Sequence, residues 1–279
     1  MRNGNTLELY KQDCLKGLDI FSNKYFDIVV TSPPYNLGIS YGKYNDKIPR
    51  SEYLEWFEKV AVKIKDKLKD NGSFFLNIGS SPTNPWGPFE IITQLRKHYS
   101  LQNVIHWIKS IYIENESYNE KISLSVGHYK PILSNRFLND NHEYIFHLTK
   151  SGNVSIDRFA IGVPYKDTSN IKRWKSGNNR MRCRGNTWFV PYKTIKVRDK
   201  DRPHPATFPI DIAEKCIKLH GISKNIKVLD PFMGIGHTSI ACHNLGANCV
   251  GFEIDPVYYQ ANLKTLEDIL SRKISDDLN

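Results

Sequence analysis

Acidic residues are in short supply. The 279-residue chain sets 29 Asp and Glu against 39 Lys and Arg, a formal net charge of +10, and its isoelectric point is near 9.2. Such a balance argues against a cationic partner and for an anionic one, nucleic acid first. A basic soluble protein with no such partner is the plainer alternative. Cysteine is scarce too. Cys14, Cys183, Cys216, Cys242 and Cys249 show no CxxC spacing, which argues against a zinc ribbon; their odd number argues against a disulfide framework. They read as reduced thiols in a cytoplasmic chain, and no metal site is expected. Long apolar runs are absent: none approaches membrane-spanning length, and the opening MRNGNTLELYKQD holds no apolar signal core. No internal repeat is visible. Hydrophobic content of 40% and charged content of 24% are ordinary for a globular protein. The length sits near the upper end for one domain.

Strands and helices alternate along most of the chain. YFDIVV (25–30), SFFLNIG (73–79), NVIHWI (103–108), EYIFHL (143–148), IKVLD (226–230) and NCVGFEI (248–254) are short apolar runs that read as strands. Leu54, Phe57, Ala61, Ile64 and Leu68 recur at helical spacing, and Gly72 in DNG suits a left-handed cap closing that helix. FEIITQLRK (89–97) reads as a helix. PIDIAEKCIKLHG (209–221), with proline at its start and glycine at its end, is a well-marked one. HTSIACHNLG is a short helix, and a last one runs from Pro256 to about Lys273. The alternation predicts an α/β fold with a doubly wound, mostly parallel sheet. Two stretches break it. Residues 110–141 are rich in Asn, Ser and Tyr. Residues 151–201 carry many bases, among them Lys172, Arg173, Lys175, Arg180, Arg182 and Arg184, with Trp174, Trp188, Phe189 and Tyr192 between them. Bases interleaved with aromatics suit a surface that meets phosphates and stacked bases. A solvated loop region with its own small aromatic core reads the same way.

Two motifs sit at strand ends. TSPPYN (31–36) follows YFDIVV and places two prolines and a tyrosine where open α/β sheets carry chemistry; taken alone it is a stiff turn. VLDPFMGIGHT (228–238) runs strand, glycine loop, helix. Gly234 and Gly236 permit a tight turn and close approach to a ligand. Glu253, at the end of the next strand, can accept hydrogen bonds from ribose hydroxyls. The loop lacks the third glycine of the dinucleotide fingerprint and has Asp230 before it. A carboxylate there repels a pyrophosphate and attracts an ammonium. The pattern favours S-adenosylmethionine over NAD or FAD. An ordinary strand–helix turn also fits a lone GxG.

Taken together, the two motifs resemble those of the amino-group DNA methyltransferases, and the order TSPPY first, DPFMGIG late, resembles the β class. GHYKPI (127–132), HEYIFHLTK (142–150), GNTWFVPYKTI (185–195) and RPHPATFP (202–209) look like further family segments. The resemblance implies a Rossmann-like methyltransferase fold in permuted order. Residues 1–150 and 202–279 would form the catalytic domain, and 151–201 an inserted target-recognition region. Ser32, Pro33, Pro34 and Tyr35 would grip a flipped base. Asp13, Asp230, Phe232, Gly234, Gly236, Thr238 and Glu253 would hold S-adenosylmethionine. Asp13 also reads as a turn acid and Thr238 as a helix-start residue. His237 and Phe208 depart from residues common in the family, Phe208 replacing a lysine frequent in adenine-methylating relatives. His204 reads as a structural loop histidine. No cysteine lies in either motif, so direct transfer without a covalent enzyme intermediate is expected. Serine at the first motif position points to cytosine N4; adenine N6 is the alternative. A protein glutamine methyltransferase and a noncatalytic nucleic-acid-binding module are weaker readings, the first opposed by the basic stretch and the second by two intact motifs. The expected partner is double-stranded DNA. A cognate restriction endonuclease and a homodimer are further partners that the resemblance admits, and no membrane is expected.

Overall fold

The computed structural model describes residues 5–117, 120–127, 133–166, 181–191 and 207–276. Within them an eight-stranded sheet dominates. In chain order its strands are β1 (Leu7–Tyr10), β2 (Phe26–Thr31), β3 (Leu68–Ile78), β4 (Ser100–Ile108), β7 (His142–Thr149), β10 (Thr187–Phe189), β11 (Lys227–Asp230) and β12 (Asn248–Phe252). Their order across the sheet is β1-β12-β11-β2-β3-β7-β4-β10, with β7 antiparallel to both neighbours. A hairpin of β5 (Ile111–Ser117) and β6 (Glu120–Val126) and a short pair of β8 (Val163–Pro164) and β9 (Met181–Arg182) stand outside it. The helices are α1 (Cys14–Gly17), α2 (Arg50–Lys67), α3 (Gly87–Leu95), α4 (Ile210–His220), α5 (His237–Leu245) and α6 (Pro256–Asp276).

The central strands are apolar on both faces because helices cover both. Successive side chains alternate between faces. Phe74 and Leu76 pack with Tyr53, Phe57, Ala61 and Ile64 of α2 on one side, while Phe75, Ile28 and Val30 pack with Ile212, Ala213, Cys216 and Ile217 of α4 on the other. Of the residues read at helical spacing, Phe57, Ala61 and Ile64 lie on the buried face of α2 with Tyr53 and Val60, whereas Leu54 is half-buried and Leu68 begins β3. Fully buried Phe57 anchors that face; truncating such a side chain to alanine costs about 3–5 kcal/mol.

Several boundaries differ from the sequence expectation. Gly72 is not a helix cap. The helix ends at Lys67 and the chain passes straight into β3, Phe26 pairing with Leu68 and Ile28 with Ser73. A Cβ at Gly72 would lie 2.6 Å from Leu68 Cδ1 and 2.9 Å from the Asp27 carbonyl oxygen, so glycine serves close packing there. LELY was not recognisable as a strand, yet it pairs in parallel with β12 along the sheet edge. Within the Asn-, Ser- and Tyr-rich stretch, Ile111–Ser117 and Glu120–Val126 pair as the hairpin. Within the expected inserted region, Thr187–Phe189 joins the main sheet beside β4, and Trp188 is buried opposite Trp107. The expectation for His204 lies outside the described residues. Cys14, Cys216, Cys242 and Cys249 are buried free thiols and Cys183 is exposed. Among the described residues no helix is long and apolar enough to cross a membrane.

The strand order fixes where a site can form. From β2 the chain winds outward through β3, whereas from β11 it winds the other way through β12. The crevice beyond the carboxyl ends of β2 and β11 is therefore the topological switch point, where doubly wound sheets bind ligands.

Candidate active site

The two motifs leave those two strands. β2 and β11 are parallel neighbours with Val29 opposite Leu229, so TSPPY and DPFMGIG emerge side by side although about two hundred residues separate them in sequence. A pocket opens between them. Ser32, Pro33, Pro34 and Tyr35 line one side; Asp13, Asp230, Phe232, Gly234, Thr238 and Glu253 line the other.

Asp230 closes the floor. Its side chain is buried, and its Oδ1 accepts from Thr31 Oγ1 at 2.7 Å and from the Phe232 amide at 3.1 Å. Burial pushes its carboxyl up to about 6; the Thr238 and Thr31 hydroxyls and the Phe232 amide partly offset that rise. The Thr238 hydroxyl favours the charged carboxylate from close by, yet its oxygen is buried and completes no hydrogen bond within the chain. An orphaned hydroxyl facing a pocket is a group poised for a ligand. Glu253 is held from both sides: Oε2 accepts from the Gly234 amide at 2.9 Å and Oε1 from the Asp255 amide at 2.8 Å. Burial raises its carboxyl, against those same amides. Each oxygen keeps a lone pair for a further donor. Asp13 caps α1, its Oδ1 accepting from the Leu15 amide at 2.8 Å, while also facing the pocket.

Gly236 stands apart from the pocket wall. It precedes α5 with φ of +88°, and a Cβ built there would collide with the Asn262 side chain of α6. Its freedom serves the turn and the packing of α6. Phe208 lines the pocket, and its carbonyl accepts from His237 Nδ1 at 2.5 Å, so the two departures from the family pattern meet each other. Cys14 also lines the pocket, but burial pushes its thiol up to about 12, which makes it no nucleophile at neutral pH.

TSPPY is held from below. Tyr53 donates its hydroxyl to the Pro34 carbonyl at 2.7 Å, and Arg50 reaches the Tyr35 carbonyl at 3.4 Å while pairing with Glu90 at 2.7 Å. Ser32 Oγ lies 2.6 Å from the Tyr35 hydroxyl, which donates to Glu143 Oε2 at 3.1 Å. The following loop is gathered by buried Asp46, whose carboxylate accepts from the Asn36, Leu37 and Ile39 amides at 2.8, 3.0 and 3.0 Å. That loop brings Tyr41 and Tyr44 to the pocket, and Tyr44, Trp56 and Phe232 form an aromatic row with centroids 5.4 and 5.5 Å apart. Sequence reasoning missed Tyr41, Tyr44, Trp56 and Glu143; the aromatic density of 41–56 was a signal for the first three.

Of the expected DNA-contacting residues, Lys172, Arg173, Lys175 and Arg180 lie outside the described residues. Arg182 is exposed on β9, and Arg184 donates from Nε to the Ile161 carbonyl at 2.8 Å.

A family model described as DNA methylase, of the N6/N4 type, matches residues 26–264. Among curated relatives, the type II methyltransferase M.ScaI of Streptomyces caespitosus is 27% identical over 93% of this chain and 81% of its own. M.SmaI of Serratia marcescens, also a type II methyltransferase, is 30% identical over 88% of this chain and 85% of its own. The DNA adenine methyltransferase YhdJ of Escherichia coli is 24% identical over 95% and 84%. Among solved structures, the cytosine-N4-specific PvuII DNA methyltransferase superposes with a TM-score of 0.66 at 19% identity, covering 93% of this chain and 86% of that one. A putative DNA modification methylase from Thermus thermophilus, complexed with S-adenosyl-L-methionine, gives 0.57 at 21% identity over 92% and 91%. The family match takes in both motif loops and the strands that bring them together, and on that span the chain belongs to the N6/N4 amino DNA methyltransferase family.

Proposed function

We propose that this chain methylates the exocyclic N4 amine of cytosine in duplex DNA at a specific sequence, using S-adenosylmethionine and drawing the base out of the helix. The observation that carries the reading is the Thr31–Asp230 hydrogen bond, which ties the strand that delivers Ser32 to the strand that delivers the glycine loop. A donor loop and an acceptor loop then share one crevice.

S-adenosylmethionine supplies a methyl group on a sulfonium. The chain's own residues do the rest. Asp230 presents a buried carboxylate to the ammonium, Glu253 keeps lone pairs for ribose hydroxyls, and the unpaired Thr238 hydroxyl offers a further contact. The row of Tyr44, Trp56 and Phe232 excludes water and offers flat faces. The acceptor amine is a poor nucleophile because its lone pair is delocalised into the ring. The Ser32 hydroxyl and the Pro33 carbonyl accept its N–H protons and favour a pyramidal nitrogen whose lone pair is available. Tyr35 offers its ring to the extruded base. Holding donor and acceptor in line supplies much of the rate. Arg182 and Arg184, with Lys172, Arg173, Lys175 and Arg180, are assigned to the DNA backbone, and residues 151–201, apart from the strand they lend to the sheet, to target recognition.

Serine rather than aspartate at position 32 supports cytosine, as does the likeness in fold to a cytosine-N4-specific enzyme. Adenine N6 is the second reading, favoured by the adenine-methylating relative. Single-molecule sequencing of DNA from cells expressing the chain tests both. Modified cytosines within one recurrent sequence are expected; modified adenines alone would transfer the reading to the second base.

A further inference from the structure

We infer that Glu143, on β7, sets the hydrogen-bond polarity of the acceptor site through Tyr35 and Ser32. The inference rests on the reading that Ser32 accepts from the target amine. Glu143 lies outside both motifs. Its side chain is 13% exposed and is the meeting point of three donors. Tyr35 Oη donates to Oε2 at 3.1 Å, Asn77 Nδ2 to the same oxygen at 2.8 Å, and Lys109 Nζ to Oε1 at 3.2 Å. A carboxylate paired with an ammonium accepts and cannot donate.

That one-sidedness propagates. The Tyr35 proton is committed to Glu143, so it is withdrawn from the 2.6 Å contact with Ser32. The tyrosine oxygen must then accept, and Ser32 must donate. The serine hydrogen turns away from the incoming base, and the serine lone pairs are left for the amine. Without the carboxylate the chain can run the other way. Tyr35 would donate to Ser32, and the serine proton would be free to face an N–H. With one lone pair taken by Tyr35 and its proton free to oppose the N–H, serine becomes a weaker acceptor for the amine, whose nucleophilicity depends on it. Glu143 is thus a positioning residue. Asn77 and Lys109, on the two strands that flank β7 or at their ends, fix both of its oxygens.

The test is a set of single-turnover methyl-transfer rates on duplex DNA for Ser32→Ala, Glu143→Gln and the double variant, with titrations of S-adenosylmethionine and DNA. Glutamine keeps the shape of Glu143 but brings donors, so Glu143→Gln should slow the chemical step by about 10- to 100-fold. Both affinities should stay within about twofold, because the change is confined to the transfer step. The double variant should be no slower than the slower single one, since both interrupt one chain. A wild-type rate for Glu143→Gln, or losses that multiply in the double variant, would overturn the role of Glu143. Full activity in Ser32→Ala would instead overturn the assignment of Ser32. If Glu143→Gln does not fold, Tyr35→Phe breaks the same chain while sparing the ion pair with Lys109. It should slow transfer at least about tenfold with S-adenosylmethionine binding unchanged, and a wild-type rate would overturn the inference.

Discussion

Thr31 and Asp230, each the last residue of its strand, are joined by a 2.7 Å hydrogen bond from the threonine hydroxyl to Oδ1. Both are buried. The bond sits where the two strands part into their loops, so each loop starts from a position that the other constrains. Thr31→Val keeps the shape and removes the donor. Stability should fall by about 1–3 kcal/mol, the usual cost of leaving a buried polar atom short of its partner. Urea denaturation measures it. An unchanged midpoint would mean that the bond holds nothing in place.

The same bond bears on pH. Burial lifts the Asp230 carboxyl from 3.8 to about 6, so the folded chain takes up this proton more readily than the unfolded one. The contribution to stability is therefore largest below 3.8 and is lost as pH rises towards about 6. Binding of an ammonium runs the opposite way, because it needs the carboxylate. About a tenth of the groups are ionised at about pH 5 and nearly all at about pH 7.5, so S-adenosylmethionine should bind about tenfold more weakly at the lower pH. Asp230→Asn should remove that dependence. Equal calorimetric affinities for the wild type at both pH values would contradict the assignment of Asp230 to the ammonium.

Gly236 makes a different prediction from the other loop residues. Its φ of +88° and its contact with Asn262 leave no room for a Cβ. Gly236→Ala should cost stability, about 1–3 kcal/mol from backbone strain alone. Asn262→Ala in the same chain should return part of that loss, because the two positions share one clash. Strictly additive losses in denaturation would show that Asn262 is not what glycine accommodates.

Arg182 offers the cleaner probe of the proposed DNA face, since Arg184 is partly spent on the Ile161 carbonyl. Arg182→Ala should weaken duplex binding across sequences and reduce the salt slope by about one. Cofactor affinity should not change. An unaltered slope in fluorescence anisotropy would move the DNA surface elsewhere.

What the sequence made legible was local chemistry. Pro33 and Pro34, and Asp230 with its glycines, announce themselves because few other residues hold such turns. Their convergence was not legible, because it depends on β2 pairing with β11, 199 residues from Thr31 to Asp230. Gly72 misled for the converse reason. Asp-Asn-Gly after a helix is good cap chemistry, but pairing with β2 draws that backbone into a strand and overrides the local preference. LELY is too short to declare itself, and it becomes a strand only because β12 offers an edge. Glu143 read as one residue of a strand. Its importance appears only when antiparallel β7 carries it to Tyr35 from the far side of β3.

In the proposed reaction Ser32 and Tyr35 present a cytosine amine to a methyl donor held by the glycine loop. The most direct measurement is single-turnover transfer from S-adenosylmethionine to duplex DNA, with the digested nucleosides identified by mass spectrometry, for the wild type, Ser32→Ala and Tyr35→Ala. N4-methylcytosine is the predicted product. Ser32→Ala should raise the barrier of the chemical step by about 1–3 kcal/mol and Tyr35→Ala by at least as much, both with cofactor binding intact. N6-methyladenine as the sole product would contradict the base, and full activity in both variants would contradict the site.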